Sequence, residues 1–296
     1  DAPHVVRLLG VTKASETSES VGSVKFVQGI VMPRADYDLF QLIRHNALRK
    51  YEKRKCARDV LAGVKHMHNM GVVHGDIKLE NVLVFLDDAQ QIARCELCDF
   101  ESAHILEQGE VGVYKDAGVT TGTLPYMAPE LVSLKEPCAN SVAGAVNALS
   151  ADMWSVGILL FVLATEYIPF PEASTENACF EHVLGKQLKG DEREQQYTIG
   201  TCASIAAYYG KTVPIAAMLL QCADTLLMCE PEKRATASMV LNMLRCSGSV
   251  QPNAPPPSRS PWPSRPNAPM PKKRTRGELL VGHARARLAL EARREA

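Results

Sequence analysis

The stretch from Val72 to Asp99 constrains this chain more than any other. Three short apolar runs, Val72-Val73, Val82 to Leu86 and Ile92 to Leu97, alternate with polar segments dense in charge, the longest being His74-Gly75-Asp76-Ile77-Lys78-Leu79-Glu80-Asn81. Apolar runs this short, bounded by polar residues, read as small strands framing loops. Just upstream, between Leu48 and Met70, the apolar residues Cys56, Val60, Val64 and Met67 recur three or four apart, and Gly71 stands where a helix C-cap is expected. That pattern predicts a long amphipathic helix. Val24 to Met32 is apolar and β-branched, ends at Pro33, and precedes Leu39-Phe40-Leu42-Ile43 at helical spacing, a strand leading into a helix. Beyond Ser150 the chain turns helical through Asp152 to Thr165, Ile215 to Met228 and Ala237 to Leu244. The fold class expected is α+β, mostly helical in its middle and end.

With 296 residues and 46% hydrophobic content, the chain can bury a sizeable core. Its formal net charge of zero gives no global field to concentrate nucleic acid, an anionic membrane or an acidic substrate, so charge must act locally. The nine cysteines are scattered, and only Cys95 and Cys98 are close in sequence; no second pair at ligand spacing accompanies them, which favours a buried structural role over half a zinc site. No signal peptide precedes them, which fits a reducing cytoplasmic or nuclear compartment. The longest apolar run, Met153 to Ala164, is shorter than the roughly 20 residues of a spanning helix and reads as a core helix, so no membrane partner is expected. Between Gln251 and Pro271 nearly every second residue is proline, which disfavours a packed core. This linker ends in the basic cluster Lys272-Lys273-Arg274-Thr275-Arg276, after which Gly277 to Ala296 reads as a solitary helix.

The octapeptide from His74 resembles the catalytic loop of protein kinases, HRDxKxxN, with Gly75 in place of arginine. Any one of His74, Asp76 or Asn81 alone would suit a polar turn between helix and strand; four matches at fixed spacing favour the motif. Cys98-Asp99-Phe100-Glu101 stands where the family has DFG, and Gly122-Thr123-Leu124-Pro125-Tyr126-Met127-Ala128-Pro129-Glu130 is similar to GTxxYxAPE with every fixed residue present. Asp152-Met153-Trp154-Ser155-Val156-Gly157 is similar to DxWSxG, although Asp152 also suits a helix N-cap. On these motifs the chain resembles the serine/threonine protein kinases over about residues 1 to 246.

The resemblance implies a protein-kinase-like fold: an N-lobe remnant of strands over 1–33, a mostly α-helical C-lobe over 34–246, a Pro-rich basic linker over 247–276 and a tail helix over 277–296. It implies transfer of the ATP γ-phosphate, with Mg2+, to Ser or Thr hydroxyls of protein substrates. Asp76 would orient the hydroxyl and accept its proton, Lys78 would steady the migrating phosphoryl group, Thr123 would bridge Asp76 and Lys78, and Asn81 and Asp99 would hold the metal. Lysine two places after the aspartate is the serine/threonine form. Asp152 would accept N–H bonds from the catalytic loop, and Glu130 would pair with Arg234. For the nucleotide base and ribose it implies Met32 as gatekeeper, backbone near Ala35, Asp38 at the ribose and Leu83 as the floor.

Departures from the family pattern set further expectations. Glu101 removes a glycine and adds a carboxylate near the metal, which would stiffen the loop, repel phosphates or add a ligand. Gly75 removes the arginine that binds an activation-segment phosphate, so phosphorylation at Thr120 or Thr121 is not expected to act as a switch by that route. Pro3 to Gly10 resembles the segment after the regulatory helix of the small lobe, and no glycine-rich loop, VAIK-type lysine or helix glutamate is found. If the chain were complete, ATP would be held weakly and activity would be low or absent; if a fragment, a normal enzyme follows. The alternative is a pseudokinase scaffold, against which Asp76, Asn81 and Asp99 together argue. A third class, a nuclear or nucleic-acid adaptor, rests on the basic tail; nucleic acid is disfavoured because no aromatic residues are interleaved there for stacking. Nothing in the sequence signals an oligomeric state.

Overall fold

Glu52 opens the long helix of the molecule. Its carboxylate accepts the Arg49 backbone N–H at 2.7 Å and so satisfies a donor at the start of a helix that runs Lys50–Asn69. In the computed structural model, which describes residues 3–12, 29–106, 122–135, 146–174, 177, 180, 201–208 and 217–246, this helix packs against the strands Ile92–Leu97 and Val72–Val73 and the helices Ala148–Thr165 and Ala237–Cys246. The elements in chain order are β1 Gly10–Thr12, β2 Gly29–Val31, β3 Tyr37–Asp38, α1 Leu39–Arg44, α2 Lys50–Asn69, β4 Val72–Val73, β5 Val82–Leu86, β6 Ile92–Leu97 and β7 His104–Ile105. They continue with α3 Pro129–Lys135, α4 Ala148–Thr165, α5 Thr201–Tyr208, α6 Ala217–Leu226 and α7 Ala237–Cys246. The helix expected from Leu48 to Met70 is α2; Gly71 follows it at φ +69°, a conformation that favours glycine. Its predicted apolar stripe, Cys56, Val60, Val64 and Met67, is buried.

α4 has Asn147 as its N-cap, whose side-chain oxygen accepts the Ser150 N–H at 3.0 Å. The N-cap reading of Asp152 is therefore corrected. Asp152 lies inside the helix, and its carboxylate serves a different segment of chain. The apolar run is also longer than expected: all 18 residues of α4 form a helix whose mean hydropathy of 1.7 would suit a membrane by length and composition. In the molecule it is a core helix, 78% buried, with Trp154, Ile158, Leu159, Leu160 and Phe161 inaccessible and α6 packed along it. A helix surrounded by protein is apolar on every side because no side faces water.

Among the described residues, three small antiparallel sheets deliver the loops. β1 pairs with β2, Gly10 opposite Val31; β3, β5 and β6 form a three-stranded sheet with Asp38 opposite Leu83 and Val82 opposite Leu97; β4 pairs with β7, Val73 opposite His104. The β5–β6 register brings the residue before β5 beside the residue after β6, and the Cys98 N–H donates to the Asn81 carbonyl at 3.0 Å. The strand expected from Val24 is described only over Gly29–Val31. The linker, the tail helix, Thr120 and Thr121 lie outside the described residues. The α+β class, with helices dominating after residue 123, matches the expectation.

Candidate active site

Asp152 fixes the catalytic loop from below. Buried in α4 at 2% exposure, it accepts the backbone N–H of His74 at 2.9 Å through Oδ2 and that of Gly75 at 3.0 Å through Oδ1. His68, near the end of α2, places Nε2 3.0 Å from the same Oδ2. An ionised carboxylate has no proton to give, so the imidazole donates, and three donors satisfy a charge that would be costly to bury alone. The His74 ring is fully buried; its Nε2 donates to the Cys98 carbonyl at 3.1 Å and it packs on Phe100 with ring centroids 5.1 Å apart. The loop is thus tied to the segment that carries Asp99.

Asp76 rises from this base with its side chain 14% exposed. Its Oδ1 accepts the Thr123 N–H at 2.8 Å, and its Oδ2 pairs with the Lys78 ammonium. Lys78 also donates to the Thr123 hydroxyl at 3.0 Å. Burial acts to raise the Asp76 carboxyl, but hydrogen bonds from Lys78 and Thr123, with the Lys78 charge, outweigh it and hold the group below the usual carboxylate range. The Asp76 carboxyl is therefore ionised at neutral pH, with the Lys78 amine against it and Thr123 bridging the two.

Asn81 closes a short 3-10 turn over Leu79–Asn81, and its amide nitrogen donates to the Asp76 carbonyl at 2.9 Å. The nitrogen being so committed, the amide oxygen is the atom presented to a ligand. Asp99 is exposed and adopts φ +65°, an uncommon backbone for a residue other than glycine and one that recurs at functional sites. The thiol of Cys98, beside it, is pushed up to about 11 by burial and then by the carboxylates of Asp99 and Asp38, against the pull of Lys78. Asp99 thus follows directly on Cys98, whose N–H donates to the Asn81 carbonyl at 3.0 Å. An amide oxygen and a carboxylate oxygen are hard donors that suit Mg2+, so the residues present fit the metal the motif implies.

The residues expected around the base and ribose are less gathered. Asp38 and Leu83 lie opposite each other in the β3–β5 register. Asp38 also caps α1, accepting the Gln41 N–H at 2.7 Å, and burial raises its carboxyl. Met32 is 40% exposed just past β2, and Ala35 lies half-buried between β2 and β3. Phe100 is half-buried against the core and Glu101 is exposed. Cys95 and Cys98 are both buried; Cys95 lies against Cys56, which with burial raises its thiol well above the usual range. Among the described residues no group of three His, Cys, Asp or Glu converges to hold a metal as the Cys95/Cys98 pair would need.

Beyond the site, Arg234 grips Glu130 with two bonds of 2.6 and 2.7 Å, while donating to the Ser150 and Met228 carbonyls and lying 5.1 Å over the Trp154 ring. Sequence reading missed His68 and Asp59. Asp59, buried at 2%, accepts the Cys95 N–H at 3.1 Å and pairs with Lys55 at 2.8 Å, holding β6 to α2. A polar residue on the inward face of an amphipathic helix was the one signal available for either.

The protein kinase domain family matches residues 1–244. Among curated relatives, the serine/threonine-protein kinase RAD53 of Saccharomyces cerevisiae is 28% identical over 246 residues, 81% of this chain and 26% of that protein. The CBL-interacting serine/threonine-protein kinase 8 of Arabidopsis thaliana is 36% identical over 132 residues, 45% of this chain and 26% of that protein. The chain thus spans about a quarter of the length of these relatives. With a match across most of its length and the catalytic-loop geometry in place, the chain belongs to the protein kinase family.

Proposed function

We propose that this chain transfers the γ-phosphoryl group of ATP to serine or threonine hydroxyls of protein substrates. The observation that carries the reading is the closed set formed by Asp76, Lys78 and Thr123, in which a charged carboxylate and a charged amine share one hydroxyl-bearing partner. Asp76 would accept a hydrogen bond from the incoming hydroxyl, align it with the phosphorus and take its proton as the new P–O bond forms and the bond from the γ-phosphorus to the bridging oxygen breaks, releasing ADP. Lys78 would hold the charge spread over the transferring oxygens, which act in a loose transition state that needs positioning more than covalent help. Asn81 and Asp99 would hold Mg2+, which when bound offsets phosphate charge. Asp38 and Leu83 would flank ribose and base, with Met32 and Ala35 at the hinge. The serine/threonine names of the relatives and the lysine two places after Asp76 support the choice of hydroxyl. A scaffold without chemistry would have no use for Asp76, Asn81 and Asp99 together, which weighs against the pseudokinase alternative.

The test is transfer of labelled γ-phosphate from Mg·ATP to generic protein substrates by the chain and by D76N. The variant is expected to lose on the order of 100-fold or more in rate, with signal appearing on Ser and Thr. Equal label transfer by the two proteins, or label on tyrosine, would overturn the reading.

A further inference from the structure

The charges on α2 are arranged against the helix's own stability. It carries six cations, Lys50, Lys53, Arg54, Lys55, Arg58 and Lys65, and two acids, Glu52 and Asp59. Both acids are turned inward, at 1% and 2% exposure: Glu52 takes the Arg49 N–H, and Asp59 takes the Cys95 N–H and the Lys55 ammonium. Lys53 is paired with Glu166 at 3.0 Å. Lys50, Arg58 and Lys65 stay exposed, and among the described residues none has a carboxylate closer than the 4.0 Å from Arg58 Nε to Asp59. Lys50, Lys53 and Arg54 stand in the first five positions, where the helix dipole disfavours positive charge, and Lys50, Arg54 and Arg58 are like-charge neighbours one turn apart. An anion brought to this face relieves a repulsion that the helix leaves uncompensated.

Tyr51, Arg58 and Lys65 are seven residues apart and share one side of the helix, drifting only about 20° per step over roughly 21 Å of axis. Arg54 flanks this line where it donates to the Leu244 carbonyl near the end of α7, and Arg245, the one charged residue of α7, is exposed next in sequence. Ala62 and Asn69 add no negative charge along the line. At the other end the Tyr51 hydroxyl donates to Gln91 Oε1 at 3.1 Å in the β5–β6 hairpin, where exposed Asp87 and Asp88 close the positive face off. Two helices thus build one basic strip with a defined end, on a chain whose formal net charge is zero.

We infer that this strip docks an acidic segment of a protein partner, held in extended conformation. Cations one turn apart on a helix are spaced by about 6 Å, and alternate side chains of an extended chain by roughly 6.6 Å, so carboxylates at every second position meet the cations nearly in register. Single-stranded nucleic acid fits less well, because Tyr51 is the one Phe, Tyr or Trp of α2 and its hydroxyl is engaged, leaving no row of rings for bases to stack on. A membrane fits less well too, since no large apolar side chain is exposed between Arg54 and Lys65 to enter it. The inference goes beyond phosphoryl transfer: it concerns recruitment of a protein and holds whether or not the chain is catalytically active.

The experiment follows the fluorescence anisotropy of a labelled peptide of about ten residues, Glu and Ser alternating, against the unmutated chain, R58Q, R58Q/K65Q and K233Q, with melting temperatures alongside. Lys233 is as exposed as Arg58, both at 57%, and stands outside the strip, so K233Q removes a like charge elsewhere. Expected are saturable binding that weakens as salt is raised, a Kd roughly fivefold or more weaker in R58Q/K65Q, a smaller loss in R58Q, an unchanged Kd in K233Q and melting temperatures preserved throughout. No saturable binding by the unmutated chain, full affinity in R58Q/K65Q, or an equal loss in K233Q overturns the inference. Tighter binding of an oligothymidylate of equal charge, or of vesicles of mixed phosphatidylserine and phosphatidylcholine, at the same ionic strength overturns the class of partner. If the double variant melts early, R58Q against K233Q decides.

Discussion

Asp76 must stay ionised to orient a hydroxyl, and its surroundings secure that state against partial burial. A carboxyl held below its ordinary value contributes to stability above its unfolded pKa and loses that contribution as pH falls through the folded one. The acid limb of the rate profile is therefore expected below the ordinary carboxylate value of 3.8. In K78M the lysine's hydrogen bond and charge are gone, desolvation remains, and the Asp76 titration moves up; NMR titration of the side-chain carboxyl reads this without needing activity. An unchanged or lower value in K78M would show that Lys78 does not set the charge state. The residues of this constellation were legible in the sequence because Asp76, Lys78 and Asn81 fall within one loop, so spacing alone arranges them. Asp38 was read as a ribose ligand, yet its carboxylate also caps α1, a local use that a motif comparison does not display.

Elements place those side chains, and here legibility declined with sequence distance. α2 was readable from its apolar period and Gly71. His68 and Asp59 were not, because their partners lie 84 and 36 residues away, at Asp152 and Cys95, and no local pattern reports such a meeting. The resemblance named Asp152 as acceptor for the catalytic-loop N–H groups, which it is; only the second reading, a local helix cap suggested by a polar residue before an apolar run, fails, because its bonds go to another element. Asn147, the true cap, stands five residues earlier, with Ser150 three residues on. The Glu130–Arg234 pair joins the start of α3 to the turn before α7, with the guanidinium fully buried. Cutting it in E130A strands that cation and is expected to cost about 3 kcal/mol, measured by urea unfolding. A loss below about 1 kcal/mol, the worth of an exposed pair, would mean that the carbonyls around Arg234 suffice.

Among the described residues, the helical core built on α2, α4, α6 and α7 is well buried, while Val11 and Ile30 in the β1–β2 sheet and Leu8 and Leu9 just before it are exposed. The strong features of the sequence, its period-of-helix stripes and its fixed-spacing loops, belong to the first part; the nucleotide-base residues Met32 and Ala35 adjoin the second, where short strands leave weaker signals. The central claim is that loop and sheet ends bring Asn81 and Asp99 to one phosphate-binding point beside Asp76 and Lys78. A crystal structure with a non-hydrolysable ATP analogue and Mn2+, read by anomalous scattering, tests it most directly. The account predicts a metal peak roughly 2.1 Å from an oxygen of Asn81 and of Asp99, with the terminal phosphate toward Lys78. A metal bound elsewhere, or a nucleotide whose phosphates point away from Asp76, would contradict it.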